Sequence, residues 1–124
     1  MKTINIKDIP TYKSKKVKQI KTNEKFEFNK ARKIIHLACM NFDISYNQMT
    51  ENINPIRVIS EKKQIGAYLA KQMTNVSWTN LGYILKDNHS SIIYMFNRIE
   101  SACIIEKELQ IKIDSFKKYL HEAI

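Results

Sequence analysis

Ser77-Trp78-Thr79-Asn80-Leu81-Gly82-Tyr83-Ile84-Leu85-Lys86-Asp87-Asn88-His89-Ser90-Ser91-Ile92-Ile93 is the stretch that decides the fold. Ser77 is a favoured helix cap, and Trp78, Leu81 and Leu85 follow it at helical spacing. Lys86-Asp87-Asn88 is a short polar break. Apolar residues then return at Ile92, Met95, Phe96, Ile99 and Cys103, on one face of a second helix. Two helices joined by so short a turn form a helix-turn-helix. Gly82 falls inside the first helix, where glycine costs about 1 kcal/mol relative to alanine. A close backbone approach by the crossing helix would offset that cost. Asn88, His89, Ser90 and Ser91 put hydrogen-bonding side chains at the start of the second helix. Such an N-terminus suits insertion into the major groove of DNA. It equally suits an ordinary capped helix, since Asn and Ser are good caps.

Working outward, Ser60 is placed to cap a helix running to about Thr74, with Ile65, Tyr68, Leu69 and Met73 inward. Asn52-Ile53-Asn54-Pro55 reads as loop, because proline disfavours helix at the residue before it. Ser45 precedes a short helical turn, Tyr46 to Met49. From Asn29 a helix places Ile34, Ile35, Ala38 and Phe42 on one face. Beyond the central motif, Leu109, Ile113, Phe116 and Leu120 mark a last helix. No Asn-Gly or Gly-Gly hairpin signal occurs. The expected fold is all-α with about six helices.

Residues 1–28 differ. Eight lysines face only Asp8, Glu24 and Glu27, a net of +5 within a chain total of +9. Apolar periodicity is weak and Pro10 interrupts it. The segment reads as a flexible basic arm, followed by one domain over 29–124. It would either contact a partner or serve as a solvated tail. A charge of +9 on 124 residues favours a polyanion: nucleic acid first, an acidic membrane surface second. Lysines outnumber arginines 18 to 3, so the chain is better supplied for phosphate contacts than for bidentate reading of guanine.

Much chemistry is excluded. Gly66 and Gly82 are the only glycines and stand sixteen positions apart, so neither a P-loop nor a dinucleotide fingerprint can be written. A nucleophile elbow fails for the same reason. His36, His89 and His121 have no partners at metal-ligand spacing. Cys39 and Cys103 sit among apolar neighbours and read as buried free thiols. The N-terminal residues show no apolar run and no stretch nears ~18 apolar residues, so neither a secretory signal nor a membrane span is expected. No catalytic residue, metal, cofactor or bound nucleotide is expected, and the location expected is cytoplasmic.

Lys63-Gln64-Ile65-Gly66-Ala67-Tyr68-Leu69-Ala70-Lys71-Gln72-Met73-Thr74, then Ser77 to Gly82, then Asn88 to Ile93, resembles the C-terminal DNA-binding domain of the bacterial replication initiator DnaA. That family shows a run similar to Arg-Gln-Ile-Ala-Met-Tyr-Leu-Ala, then Ser-Leu-x-x-Ile-Gly, then Asp-His-Ser/Thr-Thr-Val. The Trp-repressor helix-turn-helix has the same shape more distantly. The resemblance runs roughly from Asn29 to Leu120. It implies that His89, Ser90 and Ser91 enter the major groove and that Asn88 reads a base where the family has Asp. It implies that Lys63, Gln64 and Lys71 hold phosphates, and Lys62, Ser77 and Lys86 are expected beside them. A loop near Arg57 would reach the minor groove. The family's Gly-Gly-Arg-Asp turn is shortened here to Lys86-Asp87-Asn88. The family's ATPase domain has no counterpart in these residues.

The expected function is sequence-specific binding of double-stranded DNA in replication or transcription control. The alternative is a basic scaffold for nonspecific nucleic-acid packaging or for a protein partner. At the base facing position 88, a carboxamide in place of a carboxylate would shift preference from cytosine toward adenine. Asp87 would be the competing reader of cytosine.

Overall fold

The computed structural model describes Ile9 and residues 22–51 and 57–123, with the side chains of 22 and 57–60 undescribed. Among the described residues there are six helices and no strand: α1 (Thr22–Phe42), α2 (Tyr46–Thr50), α3 (Arg57–Met73), α4 (Trp78–Leu85), α5 (His89–Ile105) and α6 (Lys107–Ala123). The all-α expectation therefore holds. No described helix is long and apolar enough to cross a membrane.

The middle helix organises the rest. α3 packs against α1, α2, α4, α5 and α6. It can do so because Ile65, Gly66, Ala67, Tyr68, Leu69 and Ala70 are all buried, so it is apolar around most of its girth. Small residues let neighbours come close: Gly66 lies against Ile35 of α1 and Met49 of α2. α2 is nucleated by Ser45, whose Oγ accepts from Gln48 N while Gln48 Oε1 accepts from Ser45 N, at 3.0 and 2.9 Å. That reciprocal pair closes a capping box. Tyr46 of α2 is wholly buried, and its hydroxyl donates to the carbonyl of Ile84 in α4. Phe28, Ile34, Ile35, Leu69, Leu81, Ile84, Leu85 and Ile92 are also fully buried. Each such side chain contributes about 1.5–3 kcal/mol on leaving water. Cys39 and Cys103 are buried free thiols, as expected, and burial pushes the Cys39 thiol up to about 12.

Two boundaries differ from the sequence reading. α1 begins at Thr22, not Asn29, so residues 22–28 belong to the helical body. Phe28 is fully buried, Glu27 Oε1 accepts from Asn75 N at 2.7 Å, and Glu24 Oε1 accepts from Asn80 Nδ2 at 3.3 Å. These tertiary contacts outweigh the weak local periodicity. Ile9 is buried as well, while the rest of the basic segment lies outside the described residues. α3 begins at Arg57, three residues before Ser60. Ser60 is therefore inside the helix rather than its cap; Arg57-Val58-Ile59 contains neither glycine nor proline to stop the helix extending backwards. The loop read at 52–55 lies outside the described residues.

Candidate nucleic-acid interface

α4 starts at Ser77, whose Oγ accepts from Asn80 N at 3.1 Å. It ends in a reversed turn. Lys86 takes a left-handed conformation, φ 56° and ψ 45°, and its N–H reaches the carbonyl of Tyr83 at 3.4 Å. Asp87 N donates to the carbonyl of Gly82 at 2.9 Å. This is a Schellman arrangement with lysine where glycine is usual. The turn folds so tightly over α4 that a Cβ on Gly82 would lie 2.6 Å from the Asp87 carbonyl oxygen. The close approach expected at Gly82 is thus made by the turn, more than by the crossing helix.

Asp87 then holds two partners. Its Oδ1 accepts from Asn88 N at 2.9 Å, and its Oδ2 lies 3.2 Å from Lys63 Nζ. Asn88 is extended, φ −77° and ψ 159°, and caps α5: its Oδ1 accepts from Ser91 N at 2.8 Å. Asn88, His89 and Ser90 are exposed and Ser91 is half-buried. Gln64 of α3 lines a shallow groove with Asn88, Ser90, Ser91, Tyr94 and Met95. Tyr94 is 62% exposed there, yet sequence reading passed over it. Its spacing of four from Ser90 was the available signal, since it places both on one helical face.

The structure brings together Gln64, Asn88, Ser90 and Ser91, with His89 and Lys86 beside them. The expected phosphate-binding lysines are distributed otherwise. Lys63, expected from the resemblance at a phosphate, is 4% exposed and ion-paired with Asp87. Lys71 donates to the Val76 carbonyl at 2.6 Å and sits 4.5 Å above the Trp78 ring, and burial pulls its pKa below the ordinary lysine value. Lys62 is half-buried, 3.4 Å from the Phe42 carbonyl and 5.9 Å from that ring's centre. Lys86 is exposed, with Nζ 5.2 Å over the Tyr46 ring. Ser77 is exposed at the start of α4. Arg57 is the first residue of α3 rather than a loop residue, and its side chain lies outside the described residues.

Comparison with known proteins agrees with this geometry. The family described as bacterial DnaA protein helix-turn-helix matches residues 31–99. The chromosomal replication initiator protein DnaA of Tropheryma whipplei (strain Twist) is 33% identical over 84 residues, which cover 68% of this chain and 17% of that protein. The protein of the same name from Treponema pallidum (strain Nichols) is 29% identical over 92 residues, covering 73% of this chain and 20% of that protein. The aligned part of this chain thus spans a fifth or less of those relatives' length. With a family match across α3, the short turn and most of α5, the chain belongs to the DNA-binding helix-turn-helix family of bacterial DnaA proteins.

Proposed function

We propose that this chain binds specific sites in double-stranded DNA and acts in control of replication or transcription. The observation that carries the reading is the exposed polar start of α5, Asn88-His89-Ser90, set on a turn held by hydrogen bonds and an ion pair. A recognition helix meets base edges through such an N-terminus. Asn88, His89, Ser90 and Ser91 read bases in the major groove, and Arg57 reaches toward the minor groove. Gln64, Ser77, Lys62 and Lys86 face phosphates, aided by the lysines that precede α1. Lys71, tied to the Val76 carbonyl, positions the start of α4. No cofactor or nucleotide takes part.

Asn88 reads with its amino group. Its Oδ1 is committed to Ser91 N, so the bidentate grip on adenine expected from sequence would require that oxygen to serve helix and base at once. The remaining Nδ2 donor suits purine N7, guanine O6 or thymine O4, and it finds no acceptor on cytosine. Asn88→Asp keeps the cap and should restore a cytosine preference worth about 1–3 kcal/mol at one base pair.

The test of the whole reading is selection from randomised duplex DNA, followed by affinity measurement over a range of salt concentrations. A selected site at least ~10³-fold tighter than random duplex is the expected result. Equal binding to both would favour nonspecific packaging instead.

A further inference from the structure

We infer that the Lys63–Asp87 ion pair is a positioning device that presets the base-reading end of α5, and that Lys63 is not a phosphate ligand. The inference rests on the proposed reading of duplex DNA and names residues on which its specificity depends. Three bonds run in series from the inside of α3 to the first turn of α5. Lys63 Nζ lies 3.2 Å from Asp87 Oδ2, Asn88 N donates to Asp87 Oδ1 at 2.9 Å, and Ser91 N donates to Asn88 Oδ1 at 2.8 Å. One carboxylate therefore ties the turn to α3 and fixes the backbone of the residue that caps the recognition helix.

Position and charge both matter. Lys63 is 4% exposed, so little of it is open to a phosphate, and its ammonium is turned to Asp87. Asp87 stands next to Asn88, where an unpaired carboxylate would repel a polyanion. Lys63 neutralises it from behind, which lets an acid persist beside DNA. The link is electrostatically stronger for lying in a low-dielectric place. Burial of such a pair in place of apolar residues adds little net stability, whereas its geometry is restrictive. The same bonds use one acceptor position on each carboxylate oxygen, so Asp87 has fewer left for a base than an unpaired acid would.

The test uses the full chain with Lys63→Met, Asp87→Asn and Lys63→Arg. Two quantities are read: amide hydrogen exchange at Asn88 and Ser91 in the free protein, and the ratio of affinities for a selected site and a random duplex. Lys63→Met and Asp87→Asn should speed exchange at both amides and cut the ratio by roughly tenfold, about the effect of one mismatched base pair. Lys63→Met alone leaves Asp87 unpaired and should weaken random-duplex binding, whereas the double variant Lys63→Met/Asp87→Asn should keep the parent's random-duplex affinity and salt slope. Lys63→Arg should retain both the ratio and the slow exchange. If Lys63→Met/Asp87→Asn weakens both duplexes alike and lowers the salt slope by about 0.9, Lys63 is a phosphate ligand and the inference fails. It also fails if the ratio and the exchange are unchanged, whatever happens to melting temperature. Should Lys63→Met not fold, the near-isosteric Asp87→Asn supplies the same two readouts. A parent protein without sequence preference would refute the proposed function, and unchanged exchange in the variants would then still refute the positioning role.

Discussion

The two junctions that frame α4 are both held by a lysine from α3, yet they are built differently. At the α3–α4 junction, Lys71 donates to the Val76 carbonyl and covers the Trp78 ring. Thr74 Oγ1 donates to Ala70 O at 2.7 Å and accepts from Val76 N at 3.2 Å. Thr74 and Val76 are buried, and the bonds are mostly to backbone. At the α4–α5 junction, Lys63 meets a carboxylate, the backbone turns left-handed at Lys86, and Asn88, His89 and Ser90 stay in solvent. One junction closes on itself and serves the fold. The other uses charge to hold a tight turn whose outer side remains free. A lysine's type and position along α3 do not by themselves say which task it has; its acceptor does.

The comparison can be broken most severely at Gly82. In Gly82→Ala the new methyl meets the Asp87 carbonyl, so the α4–α5 turn must open. The gain in helix propensity is about 1 kcal/mol. We expect a net loss of about 2–3 kcal/mol by denaturant unfolding, together with loss of site preference. A stabilised variant with intact specificity would show that the turn does not press on α4. Lys71→Met tests the other junction. It leaves the Val76 carbonyl without its donor at a cost of about 2 kcal/mol. Random-duplex binding should keep its salt slope, whereas loss of a phosphate contact would lower it by about 0.9. Ser77→Ala removes the α4 cap and should cost about 1 kcal/mol, with melting temperature lowered and base preference kept. The smallest effect has the opposite sign. Lys86→Gly relieves a left-handed lysine and should stabilise the fold by about 0.5 kcal/mol. The same change should weaken DNA binding and flatten its salt dependence. Unchanged binding would remove Lys86 from the phosphate-facing set.

Sequence periodicity was enough for the six helices, because each inward face repeats at helical spacing, and Ser77 caps where it was expected to, whereas Asn29 and Ser60 lie inside their helices. The start of α1 was not legible. Glu24, Lys25 and Glu27 dilute the apolar pattern, and the bonds that keep this turn helical reach Asn75 and Asn80, about fifty residues away in sequence. The buried state of Lys63 was hidden for a related reason. Lys62 and Lys63 are adjacent and identical in type, yet the first is half-buried and the second is buried and paired with Asp87, 24 positions on. The polar start of α5 was legible as a candidate. The cap bond from Ser91 N to Asn88 Oδ1, which turns the oxygen toward the helix, was not.

On the proposed reading Asn88 joins a cap and a base contact in one side chain, and this restricts how the protein can diversify. A replacement at 88 must still accept from Ser91 N, or the first turn of α5 loses about 1 kcal/mol and its alignment with it. Only Asn, Asp, Ser and Thr do that well. Descendants exploring new targets therefore have a four-letter alphabet here. Asp offers an acceptor, Asn a donor, and the hydroxyls either one at shorter reach. His89 and Ser90 carry no cap bond and are free to vary more widely. Drift in target preference should accordingly be stepwise at 88 and continuous at its neighbours.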